Sequence, residues 1–259
     1  FMSDTAKLEI ALIQSSLVWE NPEANRAAFS STINAISTKI DLIILPEMFT
    51  TGFTMNPKNI DKNDGEITIK WMQEIAKKKD SAVTGSIPFF DGKNYVNRLF
   101  FVFPNGDYKH YDKRHTFTLA GENKVYASGK NRLVLEYKEF KICPLICYDL
   151  RFPVWARNTE NYDVLIYVAN WPKQRINAWD ILLKARAIEN MAYTIGVNRV
   201  GVDNSDHEYN GHSAVYDTLG YQLAYSEKDE VLYATLEKEH ILKTRNKLKF
   251  LEDRDEFTL

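Results

Sequence analysis

Short apolar runs recur along the chain and are separated by segments with helical spacing. The run "LEIALIQ" at 8–14 is followed by "NPEANRAAFSSTINAIS" at 21–37, where Asn21 can cap a helix that has Pro22 at its first position. The next run, "DLIILPE" at 41–47, is almost continuously apolar, which is typical of a strand that is buried on both faces. This order predicts a β-α-β start.

The segments that follow continue the alternation. The stretch 66–79 places apolar residues at helical spacing, which predicts a second helix, and 81–89 returns as a strand. Two extended runs within 95–113 flank "PNG" at 104–106, which is a strong turn signal. We therefore expect a hairpin here.

The second half of the chain has the same mixture. Its pattern predicts two strands in 132–147, a buried strand at 163–172, the longest helix at 177–193, a strand at 194–201, two strands in 212–226, and a strand followed by a helix in 230–248. No Gly-, Pro- or Ser-rich linker separates more than ten strands and at least four helices, so we expect one domain over residues 1–259. Because a wide twisted sheet tends to split into two packed sheets, the predicted fold is α/β, a four-layer αββα sandwich.

Composition narrows the class of partner. Hydrophobic residues make up 44% and charged residues 26% of the 259 residues, a balance that supports a sizeable core. The formal net charge is only -2, so no strong field favours nucleic acid or an anionic membrane. We expect a small-molecule or protein partner.

Location is predicted from the same kind of evidence. The longest apolar runs fall far short of the roughly 20 residues that cross a bilayer, and no secretory leader pattern is visible. Cys143 and Cys147 are the two cysteines of the chain, and residues four apart in one strand cannot close a normal disulfide without bending it. This favours a reducing, cytoplasmic setting.

Cys147 is the first candidate for chemistry, in "KICPLICYDLRFP" at 141–153. Free cysteine is often simply buried, so inert packing is one interpretation. The other is a nucleophile at a strand end, because Asp149 could cap a short helix with Pro153 in its first turn. Helix amides there would lower the pKa of the thiol and offer an oxyanion donor.

Two further residues follow apparent strands. Glu47 ends an apolar run at the carboxyl edge where ligands gather in α/β sheets, and it could serve as a base, whereas none of the five histidines has so apolar a strand-end setting. Lys113 ends "DYKHYDK". Each could also be an ordinary surface residue, but a base, a cation and a thiol at strand ends together indicate hydrolysis. A zinc site through Cys143 and Cys147 lacks companion ligands.

Four segments carry a family resemblance: "LPEMFTTGF", "YDKRHTF", "CYDLRFPVWAR", and "YVANWP" followed by "KARAIENMAY". In this order they resemble the carbon-nitrogen hydrolases of the nitrilase superfamily over about residues 8–235, and most of all the bacterial omega-amidase branch. The resemblance implies the four-layer αββα sandwich. It also implies that no metal or organic cofactor is required.

The resemblance assigns roles to four side chains. Glu47 would be the general base, Cys147 the nucleophile that forms a thioester, and Lys113 a cation that stabilises the oxyanion together with the backbone N–H of Tyr148. The family's second glutamate corresponds to Glu122 in "LAGENKVYASG", which could otherwise be a loop carboxylate.

Substrate contacts are predicted from position alone. Phe117, Asn170 and Trp171 follow strands that end near Cys147, and with Tyr148 they could line the pocket, although an aromatic residue there is about as often plain packing. A substrate carboxylate would need a cation, and two arginines are open alternatives, Arg175 and Arg199. Arg151, and Arg186 with Glu189, are expected to form structural ion pairs or caps.

The leading functional hypothesis is an omega-amidase that releases ammonia from the terminal carboxamide of 2-oxoglutaramate or 2-oxosuccinamate. The alternatives are a nitrilase or N-carbamoyl amino acid hydrolase with the same Glu-Lys-Cys triad, and a catalytically silent binding protein on this fold. The resemblance also implies a homodimer or a higher homo-oligomer.

Overall fold

The buried strands predicted from the apolar runs form two six-stranded sheets. The structure is a computed structural model that describes residues 6–258, with five α-helices and fourteen strands in that range. The elements of the first half are β1 (Lys7–Gln14), α1 (Pro22–Ala35), β2 (Leu42–Ile44), α2 (Asp64–Lys79), β3 (Ala82–Phe90), β4 (Tyr95–Val102) and β5 (Tyr108–Asp112). Those of the second half are β6 (Leu135–Tyr137), β7 (Phe140–Ile146), α3 (Pro153–Ala156), β8 (Val164–Val168), α4 (Ile176–Asn190), β9 (Tyr193–Val197), β10 (Val200–Val202), β11 (Glu208–Asn210), β12 (Ser213–Tyr216), β13 (Gln222–Ser226), β14 (Glu230–Glu237) and α5 (Lys238–Leu248).

Each sheet is built around three parallel strands. The first sheet has the order β14-β1-β2-β3-β4-β5, with β1, β2 and β3 parallel, and the second has the order β13-β12-β9-β8-β7-β6, with β7, β8 and β9 parallel. The remaining neighbours pair antiparallel, so β5 runs in the same direction as β3. The carboxyl ends of β2, β3 and β5 therefore lie along one edge of the first sheet.

Side-chain alternation explains the layers. On β1, Leu8, Ile10 and Leu12 belong to the core between the two sheets, whereas Ala11 and Ile13 belong to the core beneath α1 and α2. On the far side, α4 contributes apolar side chains to the core against β9. The predicted four-layer αββα sandwich of the α/β class is confirmed.

Local predictions agree with the structure only in part. The helix predicted to be the longest, 177–193, is α4 with 15 residues, whereas α2 has 16, and the predicted strand 163–172 ends at Val168. The side chain of Asn21 accepts a hydrogen bond from Ala24 N and caps α1, which has Pro22 at its start, as predicted. The predicted strand 194–201 is wrong as one element, because it breaks after Val197 into β9 and β10. β10 leaves the sheet and pairs with β11 in a separate two-stranded ribbon.

None of the helices within residues 6–258 combines the length and the apolar character needed to cross a bilayer.

Candidate active site

Cys147 lies at a sharp turn directly after β7. It begins the short 3-10 turn Cys147–Arg151 with a φ of 43°, in the left-handed region that non-glycine residues seldom adopt. The strained turn aims the thiol across the sheet edge, where its Sγ lies 3.9 Å from the carbonyl oxygen of Asn170. The side chain is 9% exposed.

Asp149 holds this turn. Its Oδ2 accepts hydrogen bonds from Ile146 N at 3.0 Å and from the Tyr111 hydroxyl at 2.8 Å, and its Oδ1 accepts from His115 N at 3.0 Å. The prediction that Asp149 caps the helix at Pro153 is therefore wrong. The carboxylate instead ties the end of β7 to the end of β5, where the chain also places the remaining catalytic candidates.

Lys113 is the centre of a buried ionic network. Its Nζ lies 2.8 Å from Glu47 Oε1 and 2.9 Å from Glu122 Oε2, and all three side chains are buried. The Glu122 carboxylate also accepts a hydrogen bond from Phe117 N, and Glu47 Oε2 accepts one from Asn170 N at 2.9 Å. The structure thus brings together Glu47, Lys113 and Glu122, which are separated in sequence, beside Cys147.

Asn97 is a member of this network that the sequence reasoning missed. From the buried strand β4, its side-chain Nδ2 donates to Glu47 Oε1 at 2.8 Å and to Glu122 Oε1 at 3.1 Å, and its backbone carbonyl oxygen accepts from Lys113 N at 3.0 Å. A lone amide within the apolar run "YVNRLFFV" was the available signal, because a buried amide needs partners. Asn97 holds the two carboxylates at a fixed separation.

Each charge in the network stabilises the opposite charge beside it. Burial by itself lowers the pKa of the Lys113 ammonium, but the negative charges of Glu122 and Glu47 outweigh burial and raise this pKa above its ordinary value. Burial raises the pKa of Glu122, and the positive charge of Lys113 opposes that shift. Lys113 is therefore a permanent cation beside the thiol.

The predicted pKa of the thiol is wrong in direction. Burial, followed by the negative charge of Glu47, raises the pKa of Cys147 well above its ordinary value, and Lys113 offsets this only in part. The helix amides invoked from the sequence belong to one short 3-10 turn, which does not compensate for lost hydration. The Cys147 side chain is therefore a neutral thiol, which would need a base to act as a nucleophile.

A pocket of about 340 Å³ opens above Cys147 and Lys113. Glu47 and Glu122 lie behind its wall and are fully buried. The residues predicted to contact substrate all line the pocket: Phe117, Tyr148, Asn170 and Trp171.

The structure separates the candidate arginines. Arg175 lines the pocket, and its guanidinium lies 5.2 Å from the centre of the Phe117 ring. Arg199 does not line the pocket, since it is buried and donates to the carbonyl oxygens of Val200 and Val202. The sequence left both open, and of the two only Arg175 lines the pocket.

Arg151 differs from its prediction as a structural ion pair. It lines the pocket, its guanidinium lies 5.1 Å from the Trp171 ring centre, and within residues 6–258 neither it nor Arg175 has a carboxylate within 4.0 Å. Arg186 does pair with Glu189, at 3.0 Å, as predicted.

Part of the pocket wall was not predicted at all. The ribbon of β10 and β11 and the turn between its strands supply Asp203, His207 and Tyr209. The Asp203 carboxylate accepts from the Tyr209 hydroxyl at 2.9 Å and from His207 N at 3.1 Å, which holds the turn in shape. These side chains give no signal in sequence because only the departure of β10 from the sheet brings them to the pocket.

Comparison with known proteins agrees with this geometry. The profile of the carbon-nitrogen hydrolase family matches residues 9–246. The chain belongs to the carbon-nitrogen hydrolase family. It is 42% identical to the omega-amidase YafV of Yersinia enterocolitica over 97% of this chain and 98% of that protein. It is also 31% identical to a 2-oxoglutaramate amidase of Bacillus subtilis over 95% of this chain and 97% of the relative.

A solved structure extends the likeness. XC1258 of Xanthomonas campestris, described as a CN-hydrolase superfamily protein with an arsenic adduct in its active site, superposes with a TM-score of 0.94 at 38% identity over 98% of this chain and 99% of that one. Family membership and the omega-amidase relatives make the protein an amide-hydrolysing enzyme. The resemblance to the carbon-nitrogen hydrolases that was predicted from sequence is confirmed.

The raised pKa of Cys147 predicts its titration. The thiolate absorbance of wild type and of Cys147→Ala is measured as pH rises, and the second curve is subtracted from the first. We expect the difference to show no ionisation step at or below pH 8.5, about the ordinary cysteine pKa. The substitution Glu47→Gln should lower the pKa of the Cys147 thiol, because it removes a negative charge beside the sulfur. Cys143 does not interfere, since burial raises its pKa to about 12.

The exposed Glu66 supplies the control: Glu66→Gln should titrate as wild type does. Thiolate already formed at pH 7 in the wild-type enzyme, or a Cys147 pKa that rises in Glu47→Gln, would contradict the neutral-thiol description.

Proposed function

We propose that the protein hydrolyses the terminal carboxamide of a small 2-oxo acid, 2-oxoglutaramate or 2-oxosuccinamate, through a thioester on Cys147. The supporting observation is that one pocket has a thiol and a buried ammonium at its base and unpaired guanidiniums on its wall. The thiol and ammonium on the pocket floor suit attack on an amide carbonyl. The guanidiniums on the pocket wall suit a carboxylate at the other end of the substrate.

The first step forms the thioester. Cys147 Sγ attacks the amide carbon while Glu47 takes the thiol proton, and the carbonyl oxygen becomes an oxyanion. Lys113 Nζ and the N–H of Tyr148 stabilise that oxyanion, since Tyr148 N belongs to the first turn of a helical segment, where N–H groups lack intrahelical partners. One such donor contributes about a hundredfold to a thousandfold in rate.

Collapse of the oxyanion breaks the C–N bond. Protonated Glu47 gives its proton to the departing nitrogen, which leaves as ammonia. The same carboxylate then takes a proton from water as the water oxygen attacks the thioester, and the thiol is restored as the carboxylic acid is released. General acid-base action of this kind contributes about a hundredfold to ten-thousandfold.

Glu122 acts through Lys113 in this scheme. Its carboxylate accepts hydrogen bonds from the Lys113 ammonium and from Phe117 N. Because both carboxylates are also bonded to Asn97, proton uptake by Glu47 leaves Lys113 anchored by Glu122. The cation therefore stays in place when the oxyanion forms.

Arg175 is proposed to bind the substrate carboxylate, with Arg151 beside it. Neither guanidinium has an acidic partner within the described chain, so neither must give up an ion pair to receive a ligand. The printed names of the relatives, omega-amidase and 2-oxoglutaramate amidase, favour this substrate class over a nitrile or an N-carbamoyl amino acid.

We also propose a cytoplasmic location. The mechanism needs a reduced thiol, and both Cys143 and Cys147 are free. A reducing compartment keeps them so.

A substrate panel tests the activity. We expect ammonia release to be fastest with 2-oxoglutaramate or 2-oxosuccinamate, slower with nitriles and N-carbamoyl amino acids, and reduced to background in Cys147→Ala. Cys143→Ala is the matched control, because Cys143 is buried on the same strand outside the pocket and its loss should leave most activity. Undiminished release in Cys147→Ala, or faster turnover of a nitrile, would overturn the proposal.

Replacing Arg175 tests carboxylate recognition. Arg175→Ala should raise KM for 2-oxoglutaramate by roughly tenfold to a hundredfold, as expected for a lost hydrogen-bonded charge pair. An amide of similar length without the carboxylate should be hydrolysed as in wild type, and Lys173→Ala, in the same turn but outside the pocket wall, should change neither. An equal loss with both amides would count against this role for Arg175.

A further inference from the structure

A second pocket lies outside the catalytic one and is strongly basic. It has a volume of about 650 Å³ and is formed by the segment before α2, the turn between β3 and β4, and the loop after Glu122. We call it the lysine pocket and define it by six of its lining residues: Lys58, Lys62, Phe90, Lys93, Tyr95 and Lys124. It shares no lining residue with the catalytic pocket.

The charges of the lysine pocket are of one sign. Its four lysines come from three separate segments, no carboxylate lines it, and none of the four forms an ion pair within the described residues 6–258. Two acidic residues lie close in sequence to the pocket lysines, and both already accept hydrogen bonds: Asp61 accepts one from Asn63 N, and Asp91 accepts one each from Lys93 N and Asn94 N. Since the whole chain has a net charge of only -2, this is a local concentration of positive charge.

The same pocket has an aromatic floor. The Phe90 and Tyr95 rings pack with their centres 5.2 Å apart, and the Lys62 ammonium lies 4.9 Å from the Phe90 ring centre. The Tyr95 hydroxyl is buried without a hydrogen-bond partner, which is costly for a polar group. Because this hydroxyl is shielded from solvent, the pocket presents the two rings rather than the hydroxyl to a ligand.

We propose that the lysine pocket binds a small molecule that carries a polyphosphate group. Several ammonium groups converging from different segments match an anion with several charged oxygens, whereas a single carboxylate would use only one or two of them. The aromatic floor can accept a planar ring attached to the phosphates. This site is independent of the proposed amidase activity.

The ligand would contact the segment that carries Glu122. Lys124 lies in the same 3-10 turn as Glu122, and the Glu122 carbonyl oxygen accepts hydrogen bonds from Val125 N at 3.0 Å and Tyr126 N at 2.8 Å. A ligand that bridges Lys124 to Lys62 would join this turn to the segment before α2. Binding should therefore stabilise the folded protein.

Thermal unfolding in the presence of inorganic pyrophosphate, at ionic strength matched with sodium chloride, tests the site. We expect pyrophosphate to raise the Tm of wild type, and the Kd obtained from the concentration dependence to weaken roughly tenfold in Lys62→Gln/Lys124→Gln. Lys93→Gln gives a second, milder variant. These side chains are exposed and unpaired, so we expect all variants to fold, which circular dichroism verifies.

Two control variants locate the binding. Lys70→Gln/Lys109→Gln removes two exposed lysines elsewhere, and Arg151→Gln/Arg175→Gln removes the two arginines of the catalytic pocket. Both should bind pyrophosphate as wild type does. Absence of binding to wild type, wild-type binding in the Lys62/Lys124 variant, or loss of binding in the arginine variant would each overturn the proposal.

A second probe, ADP, tests the aromatic floor with the same variants. ADP that binds more tightly than pyrophosphate, and loses affinity in Lys62→Gln/Lys124→Gln, supports recognition of a ring together with phosphates. Equal affinity for the two supports recognition of the polyphosphate alone.

Discussion

The buried ammonium of Lys113, held between the carboxylates of Glu47 and Glu122, is the interaction on which the site depends. Three charges removed from water are stable only when each has close partners, and removal of one partner from such a network typically costs about 3–5 kcal/mol. Here Asn97 Nδ2, Phe117 N and Asn170 N supply the other hydrogen bonds to the carboxylates. The network therefore requires a rigid frame, and the two sheets supply it.

Strand direction places the candidate residues at one edge of the two sheets. Glu47 follows β2, Lys113 follows β5 and Cys147 follows β7, so each candidate lies at the carboxyl end of a strand, and the packing of the sheets brings the three ends to one edge. Asp149 joins the end of β7 to that of β5. The core between the sheets thus determines the distance between Cys147, which follows a strand of one sheet, and Glu47, which follows a strand of the other.

Much of this arrangement could be predicted from sequence. The features that were not predicted depend on contacts between residues far apart in the chain. Strand ends and family motifs indicated Glu47, Lys113 and Cys147 as candidates, because buried apolar runs and their polar termini are local patterns. Asn97 escaped because its role depends on carboxylates 25 and 50 residues away. The direction of the Cys147 pKa shift was wrong because local helix amides are visible in sequence, whereas burial and a charge from the opposite sheet are not.

In the proposed mechanism, a neutral thiol beside a permanent cation requires Glu47 twice, first to take the proton and then to return it. The central claim is that this set forms a thioester. Intact-mass measurement of the enzyme shortly after mixing with 2-oxoglutaramate tests it most directly. The account predicts a species heavier by the mass of the amide less ammonia, which is absent in Cys147→Ala and present in Cys143→Ala. Substrate turnover with no such species in rapidly quenched samples, or the same added mass in Cys147→Ala, would contradict it.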